Sequence, residues 1–298
     1  MAEVIEITDK KYPKALNESL KKLVSSLGPK KLYYKGNWSE EIFDNCLAVV
    51  GSRHLTYYGK KATEQLVTEI AASGITIVSG FMYGGDEAAH SATVRCGGRT
   101  IAVMPCGINR IHPENQKKLY EEILENNGLI ISEYEGDTQP QTFTYLQRDR
   151  IVAGLSKAIF VTEAALNSGS LISASYAKKF GKKIFALPGP ITSEVSKGTL
   201  KLIKEGAEVV TEANDILKYF DVFPASRQGG PANKKANKNF VTGDSLENKI
   251  IDQLKREPMK ADELARLFSI PVAKLGTALS LMQLKGFINQ DNGKYYIN

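Results

Sequence analysis

Small residues follow five of the apolar runs in this 298-residue chain, and their types suit contact with an anion. The segments are Gly51-Ser52-Arg53, Ser79-Gly80, Pro105-Cys106-Gly107, Asn167-Ser168-Gly169-Ser170 and Pro188-Gly189. Residues without bulky side chains let an extended ligand approach the backbone closely. The serines at 168 and 170 also open a predicted helix, where hydroxyls and free amide groups favour a bound anion. A glycine at one such turn commonly serves turn geometry alone, but five segments together favour a phosphate-binding groove.

Two arginines and two aromatic residues lie close together in the stretch TQPQTFTYLQRDR. Arg148 and Arg150 flank Asp149 at what we predict to be the start of a helix. The triplet is either a salt-bridged helix cap or a phosphate clamp in which Asp149 orients an arginine. Phe143 and Tyr145 are predicted in a polar loop. They either fill the core or act as platforms for stacked bases, a contact worth ~1–3 kcal/mol per base.

The segment VSGFMYGGDEAAH combines glycines with one acid and one histidine. It is either a ligand cradle or an acid–base pair. Because Asp86 and His90 are four residues apart, we predict that they lie on one face of a helix and pair structurally. Ser79 and Gly80 are then the ligand-facing residues, and Tyr83 is predicted to face the groove.

These segments need a scaffold that brings strand ends to one edge, and the apolar runs predict one. Seven short runs alternate with amphipathic stretches, at 47–50, 75–79, 100–104, 129–133, 158–162, 183–187 and 208–210. They are continuously apolar, as expected for a parallel sheet covered by helices on both faces. The alternation predicts an α/β fold with a doubly wound, mostly parallel sheet. In such a sheet the ligand site lies beyond the carboxyl ends of the strands.

The composition changes along the chain and predicts four segments. Residues 1–45 are a short lead-in at the edge of the sheet, and residues 46–221 form the sheet domain. Residues 222–245 are rich in Gly, Pro, Asn, Ser and Lys, which is typical of a flexible linker. Residues 246–298 show three helical patterns and two short strands around an Asn-Gly turn, a pattern that predicts a winged helix.

Charge and motif content narrow the functional classes. A formal net charge of +6 fits either a solvated basic surface or a polyanionic partner. The three cysteines show no paired spacing, which favours a reducing compartment. The sequence has no GxxxxGK[ST] motif, no GxGxxG after the first strand and no histidine pair with metal-ligand spacing, so we expect no cofactor and no metal. It shows no charged-then-apolar leader and no apolar run of ~18 residues, so we expect a cytoplasmic protein without membrane contact.

Seven stretches over residues 47–211 occur in an order typical of one known family. They are VVGSRHLTYYG, IVSGFMYGGDEAAH, GGRTIAVMPCGINRIHPENQKKL, GLIISEY, RDRIVAGLS, VTEAALNSGSLISASYAKKFGKKIFALPG and SKGTLKLIKEGAEVV. On these stretches the chain resembles the DprA/Smf family of DNA-processing proteins, and its tail from residue 246 resembles the winged helix of many members.

The resemblance implies a Rossmann-like protein that binds single-stranded DNA, helps to load the RecA recombinase in natural transformation or recombination, forms a homodimer and carries out no catalysis. By position it assigns DNA contacts to Gly51, Ser52, Arg53, Ser79, Gly80, Arg148, Arg150, Ser168, Gly169 and Ser170. Tyr83 and Phe143 join them as predicted base platforms. The family commonly has Arg-Asn-Arg where this chain has Asp149 between the arginines. That acid either weakens phosphate affinity or orients the arginines.

An enzyme is one alternative function. A nucleotide hydrolase of the phosphoribohydrolase type also places a glycine-rich loop and an acid after a strand, and Glu163 is the candidate acid here. Such enzymes carry a further acid one helical turn into the next helix, whereas this chain has Leu171, Ile172, Ser173 and Ala174 in that region.

A regulator that reads duplex DNA through the winged helix is the second alternative. Its candidate recognition helix offers Lys274, Gln283 and Lys285, but no arginine or asparagine for bidentate contacts with bases. We therefore predict that the winged helix mainly contacts protein or assists DNA binding weakly.

Overall fold

The computed structural model describes residues 2–23, 28–222, 245–291 and 293–297. These residues fall into two compact units, one before residue 223 and one after residue 244. Nearly all of the predicted linker, 222–245, lies outside the described residues.

The described part of the first unit contains one sheet of nine strands. They are β1 (Glu3–Glu6), β2 (Lys31–Gly36), β3 (Cys46–Val50), β4 (Thr76–Ser79), β5 (Thr100–Gly107), β6 (Leu129–Tyr134), β7 (Ala158–Val161), β8 (Lys183–Ala186) and β9 (Glu208–Val209). Strands β3 to β9 are parallel. β3, β4, β5 and β7 are buried along their whole length, which explains their continuously apolar sequences. The predicted fold class is confirmed.

The strand order contains a reversal that defines a ligand crevice. The order is β1-β2-β6-β5-β4-β3-β7-β8-β9. The chain moves outward from β3 to β6 and then returns to place β7 on the other side of β3, so that β3 pairs in parallel with both β4 and β7. The loops that leave β3 and β7 therefore diverge to opposite sides. A crevice opens between them, beyond Val50 and Val161.

Helices cover both faces of this sheet. They are α1 (Lys14–Leu20), α2 (Tyr57–Ala72), α3 (Gly85–Arg95), α4 (Lys117–Glu125), α5 (Thr142–Leu155), α6 (Ser170–Lys179), α7 (Lys197–Lys204) and α8 (Ala213–Leu217). One core cluster includes Leu16, Val152 and Ala174, from α1, α5 and α6. A second includes Leu66 from α2 and Ala89 from α3.

Helix α5 begins at Thr142, several residues before the predicted start. The prediction that Phe143 and Tyr145 lie in a loop, and that Arg148 opens a helix, is therefore wrong. A Gln141–Thr144 capping box starts the helix, with each side chain hydrogen-bonded to the backbone of the other residue. The arginine–aspartate triplet consequently lies in the second half of the helix, where every residue from Arg148 to Leu155 is buried.

The segment before β3 extends the sheet at one edge. β2 pairs antiparallel with β6, and β1 pairs antiparallel with β2. α1 packs closely on α5, because Gly154 has no side chain. A Cβ there would lie 2.6 Å from Cδ1 of Leu16.

The second unit is a winged helix, as predicted. Its elements are α9 (Ser245–Arg256), β10 (Met259–Lys260), α10 (Ala261–Phe268), α11 (Val272–Leu284), β11 (Ile288–Asp291) and β12 (Lys294–Ile297). Ile250, Leu264 and Leu279 join the three helices in one core. Among the described residues no single helix is long and apolar enough to cross a membrane. α10 and α11 reach that length and composition only as a pair, and the pair is bent by 118°.

Candidate functional site

A pocket of about 540 Å³ occupies the crevice beyond β3 and β7. Its walls come from residues 50–54 after β3, from the face of α5 between Thr142 and Asp149, and from residues 165–173 around the start of α6. Met82 and Asp86 complete the lining. The volume lies within the range of about 300–1,000 Å³ that is usual for small-molecule sites.

Glycines allow the backbone segments of this pocket to approach one another. A Cβ at Gly51 would lie 2.4 Å from Oγ1 of Thr162, and one at Gly85 would lie 2.6 Å from Cα of Gly51. Backbone hydrogen bonds connect the same segments, from the amide of Ser52 to the carbonyl of Glu163 (2.7 Å) and from that of Gly85 to Ser52 (3.0 Å). Gly85 therefore serves packing between α3 and the β3 loop.

The floor of the pocket holds a buried cation between two buried acids. Arg148, Asp86 and Asp149 are 6%, 7% and 8% exposed. Nη1 of Arg148 lies 3.7 Å from Oδ2 of Asp86, and its Nε lies 3.4 Å from Oδ1 of Asp149. No hydrogen-bond acceptor meets that Nε among the described residues. Gly80 makes room for the guanidinium, because a Cβ there would lie 1.0 Å from Nη1.

Burial shifts the protonation equilibria of both floor acids. It raises the pKa of Asp149 to about 6, a shift that the guanidinium of Arg148 opposes and the carboxylate of Asp86 increases. Burial also raises the pKa of Asp86, again against the attraction of Arg148. Burial thus favours the protonated form of both floor acids, whereas the guanidinium of Arg148 favours their carboxylates.

An exposed arginine marks the rim of the pocket. The guanidinium of Arg53 lies 5.2 Å from the centre of the Tyr145 ring, a cation–π distance. The Tyr145 hydroxyl in turn lies 2.6 Å from Nε2 of His112. This contact chain holds Arg53 beside the pocket while its charge remains accessible to solvent.

The start of α6 forms the opposite wall. The hydroxyls of Ser168 and Ser170 lie 2.8 Å apart. A side chain at Gly169 would meet nothing within 4 Å, so its backbone is open to a ligand. The first turn of a helix carries partial positive charge, and here the amides of Leu171 and Ile172 already donate to the carbonyls of Ser168 and Gly169. This wall therefore suits an anion better than the floor does.

Seven of the twelve predicted contact residues line the pocket: Gly51, Ser52, Arg53, Arg148, Ser168, Gly169 and Ser170. Two others support it from below. Ser79 is fully buried and donates its hydroxyl proton to the carbonyl of Val49 (2.6 Å). Gly80 lies beneath Arg148. Neither lines the pocket, contrary to the expectation that they face the ligand directly.

The two predicted base platforms are exposed but do not line the pocket. Tyr83 is 41% exposed, and its hydroxyl donates to Oδ1 of Asn115 (3.0 Å). Phe143 is 50% exposed in the first turn of α5, next to Thr142, which does line the pocket. Both rings are accessible to a chain that extends beyond the pocket.

Arg150 lies apart from the pocket. Its Nη2 donates to both carboxylate oxygens of Glu133, at 2.7 and 2.9 Å, and its side chain is 5% exposed. Two residues along an α-helix differ by about 200° in direction, so Arg148 and Arg150 face opposite sides of α5. Arg150 therefore lies outside the pocket that Arg148 lines, with its guanidinium bound to Glu133.

Several lining residues were missed from the sequence, among them Thr142, Leu146 and Ser173. The signal was present in the spacing, because Thr142, Tyr145, Leu146 and Asp149 follow the period of one helix face. This helix face was not recognised because the start of α5 was predicted near Arg148 instead of at Thr142.

The predicted Asp86–His90 pair is wrong. Both residues are buried on α3, but they have different partners. Asp86 accepts a hydrogen bond from the amide of Met82 (3.3 Å). Nδ1 of His90 lies 2.8 Å from Oγ1 of Thr100, whose own proton goes to the carbonyl of Ile77. His90 therefore donates from Nδ1, and burial lowers its pKa to about 3, which keeps the ring neutral.

Glu163, the candidate catalytic acid, binds Thr56, the N-cap residue of α2. It is 2% exposed, and its two carboxylate oxygens accept hydrogen bonds from the amide (2.8 Å) and the hydroxyl (2.6 Å) of Thr56, just before α2. A Cβ at Gly59 would lie 2.3 Å from the same carboxylate. Glu163 is thus enclosed by the first turn of α2. In the described ranges no cluster of three or more His, Cys, Asp or Glu residues suits a metal ion.

Family comparison agrees with both units of the fold. The model of the family described as DNA recombination-mediator protein A matches residues 3–221, and the model of the DprA winged helix domain matches residues 234–294. The chain belongs to the DprA/Smf family. The resemblance noted in the sequence is thereby confirmed.

Two DprA/Smf relatives match over about two thirds of their length. The chain is 36% identical over 254 residues to the protein Smf of Escherichia coli, with coverage of 84% of this chain and 67% of the relative. It is 40% identical over 193 residues to the DNA processing protein DprA of Streptococcus pneumoniae, with coverage of 65% and 67%.

Solved DprA structures share the fold. The S. pneumoniae protein superimposes with a TM-score of 0.67 at 37% identity, covering 72% of this chain and 73% of that one. DprA of Helicobacter pylori, solved in a study of its single-stranded DNA binding mode, gives a TM-score of 0.65 at 33% identity, with coverage of 75% and 98%.

Proposed function

We propose that this chain binds single-stranded DNA along the pocket and its rim, as a DNA-processing protein of recombination and transformation. The observation that carries the proposal is the convergence of Arg53, exposed after β3, with Ser168 and Ser170 at the start of α6 around one pocket. Single-strand binding needs positive charge and sequence-tolerant contacts, and these groups supply both. The solved H. pylori relative with its single-stranded DNA binding mode supports the same ligand.

The proposed contacts are revised by the geometry. Gly51, Ser52, Arg53, Ser168, Gly169 and Ser170 contact the DNA backbone. Tyr83 and Phe143 stack with bases that leave the pocket, since both rings are exposed. Arg148 acts at the floor, with Ser79 and Gly80 as its support. Arg150 is withdrawn from the contacts, because Glu133 already binds it.

The pocket is proposed to bind its ligand without catalysis. The support is the position of Glu163, which is buried and whose carboxylate accepts two hydrogen bonds from Thr56. Release of free base from nucleoside monophosphates, abolished by Glu163→Ala, is the result that would overturn this assignment.

Two finer proposals rest on family membership: the protein acts as a homodimer, and it helps to load a RecA recombinase onto single strands. Light scattering on the purified chain tests the first. Strand exchange with single strands coated by a single-strand-binding protein tests the second. An Arg53→Ala variant that still stimulated exchange as well as the parent would contradict loading through this pocket.

The decisive experiment compares DNA forms at several salt concentrations by fluorescence anisotropy. We expect tighter binding of single-stranded than of duplex DNA, and weaker binding by Arg53→Ala for every sequence. The slope of log affinity against log salt should fall by about 0.7 for each lost phosphate contact. Arg95→Ala is the matched control, because Arg95 pairs with Glu64 on the surface away from the pocket. Equal binding by parent and Arg53→Ala would show that the interface lies elsewhere.

A further inference from the structure

We infer that His112 is a positioning residue for Arg53, that it acts through the hydroxyl of Tyr145, and that it makes DNA binding at the rim depend on pH. The inference rests on the proposed single-strand binding and names a residue that regulates the same site. The three residues come from three separate segments: the loop after β3, the loop after β5 and helix α5.

The position of Arg53 depends on the ring of Tyr145. The Arg53 side chain is exposed, and its guanidinium lies 5.2 Å from the centre of that ring. An exposed arginine without such a contact samples many rotamers, and the loss of this freedom on binding weakens affinity. A cation–π contact limits the freedom before DNA arrives. The direction of the Tyr145 ring therefore decides where the cation of Arg53 is presented to a phosphate.

His112 fixes the direction of that ring. Tyr145 is partly exposed, so the core constrains it less than a buried aromatic residue. Nε2 of His112 lies 2.6 Å from the Tyr145 hydroxyl, and the two rings meet edge to face with their centres 6.0 Å apart. A hydrogen bond behind a contact residue holds that residue in its binding geometry. His112 does not line the pocket, so it acts on DNA through its neighbours.

The charge of His112 responds to a phosphate at Arg53. Burial lowers the pKa of His112, the charges of Arg110 and Arg53 lower it further, and Glu114 raises it. Tyr145 is the titratable group that faces the imidazole from α5. In the protonated ring Nε2 donates to the Tyr145 hydroxyl, and a second cation then lies near Arg53. A bound phosphate offsets the repulsion between the two cations, so the complex holds the proton on His112 more tightly than the free protein does.

The sign of the pH dependence follows from this difference. Because the complex binds more protons than the free protein, DNA affinity rises as the pH falls through the titration range of His112. The gain is at most about tenfold for each unit by which DNA raises the pKa of His112. Other ionisable residues line the same pocket, among them His54, Asp86 and Asp149, so the contribution of His112 is obtained by comparing variants.

A double-mutant cycle tests the positioning role, with anisotropy of a labelled thymidine oligonucleotide and the full chain. We expect Tyr145→Phe, which keeps the ring and removes the hydroxyl, and His112→Leu each to lose about two- to fivefold in affinity, the value of one exposed cation–π contact. The two losses should not add, and neither should appear in an Arg53→Ala background. Tyr134→Phe is the matched control and should bind like the parent, because the hydroxyl it removes bonds to Gln147.

A pH profile tests the proton linkage. Neither thymine nor a phosphodiester takes up a proton between pH 7.5 and 5.5, so the oligonucleotide adds no pH dependence of its own. His112→Gln retains a hydrogen-bonding group for the Tyr145 hydroxyl but accepts no proton. We expect it to restore most of the affinity that His112→Leu loses at pH 7.5. The ratio of parent affinity to His112→Gln affinity should then rise about threefold or more as the pH falls to 5.5.

The outcomes separate this inference from the proposed function. Additive losses in the cycle, a full loss for His112→Leu in the Arg53→Ala background, or a ratio that does not change with pH would each overturn the role of His112 and leave single-strand binding in place. Parent-like binding by Arg53→Ala would overturn both. Fluorescence of Trp38 verifies that each variant is folded.

Discussion

A side chain at Gly80 would occupy the place of the Arg148 guanidinium, since a Cβ there would lie 1.0 Å from Nη1. Gly80, which follows β4, therefore leaves the space that the guanidinium of Arg148 on α5 fills. Arg148 reaches the floor between Asp86 and Asp149 only because residue 80 has no side chain. This relationship couples a loop glycine to the charge of the pocket.

We predict that Gly80→Ala destabilises the protein by about 1–3 kcal/mol, the usual cost of overpacking a filled site. In an Arg148→Ala background the same substitution should cost much less, because the atom it meets is gone. A double-mutant cycle of urea unfolding, followed by Trp38 fluorescence, measures this coupling. Gly276→Ala is the control, since a Cβ there meets nothing within 4 Å. Additive effects of the two substitutions would refute the coupling.

Arg150→Ala should lower stability strongly and leave the DNA site intact. The substitution removes Nη2, which donates to both carboxylate oxygens of Glu133 at 2.7 and 2.9 Å, and loss of one member of a buried pair costs about 3–5 kcal/mol. Chemical denaturation read at Trp38 measures the loss. Arg53→Ala should show the opposite pattern, with near-normal stability and weak DNA binding. A salt-dependent loss of affinity for single-stranded DNA in folded Arg150→Ala would show that Arg150 contacts the DNA.

The strands were predictable because burial on both faces leaves a continuous apolar signal, as in β3 and β7. Helix α5 was not, and the reason is physical. From Arg148 to Leu155 it is buried on all sides, so it has no polar face and no amphipathic period to read. Its first turn is polar and follows a proline, which is typical of a loop. The directions of Arg148 and Arg150 depend on that helix. The sequence therefore did not predict that Arg148 lines the pocket while Arg150 binds Glu133.

Packing partners across the sheet were equally inaccessible to sequence reasoning. Asp86 and His90 have the spacing of a helical pair, but their partners, Arg148 and Thr100, come from other elements. Glu163 follows a strand as a catalytic acid does, yet its environment is set by Thr56 on a different loop. The types and positions of the residues indicated where the site lies. Which group each polar side chain contacts depended on tertiary structure, which the sequence pattern does not give.

Stability should depend on pH through Asp149. Its pKa is raised to about 6 in the folded protein, above the value of about 3.9 in an unfolded chain. The folded state thus binds more protons between these values. The protonated carboxyl favours folding fully below pH 4, and this contribution is lost as the pH rises through 6. Asp149→Asn imitates the protonated form, so we expect it to stabilise the protein by roughly 2–3 kcal/mol at pH 7.5 and by little at pH 4. Urea unfolding at both pH values, read at Trp38, gives the difference. A constant difference at both values would contradict the assignment.

Removal of residues 241–298 should leave most of the single-strand affinity in place. The winged helix is a separate compact unit with its own core, so the first unit retains its packing without it. The exposed face of α11 includes Ala273, Thr277, Leu281 and Leu284, which lack the paired donors and acceptors that read bases. We expect the truncated chain to bind single strands within tenfold of the full chain, as measured by anisotropy at matched salt. The same truncation combined with Arg53→Ala is the control, and it should bind as weakly as Arg53→Ala alone. A loss of more than tenfold on truncation would place a main DNA contact in the winged helix.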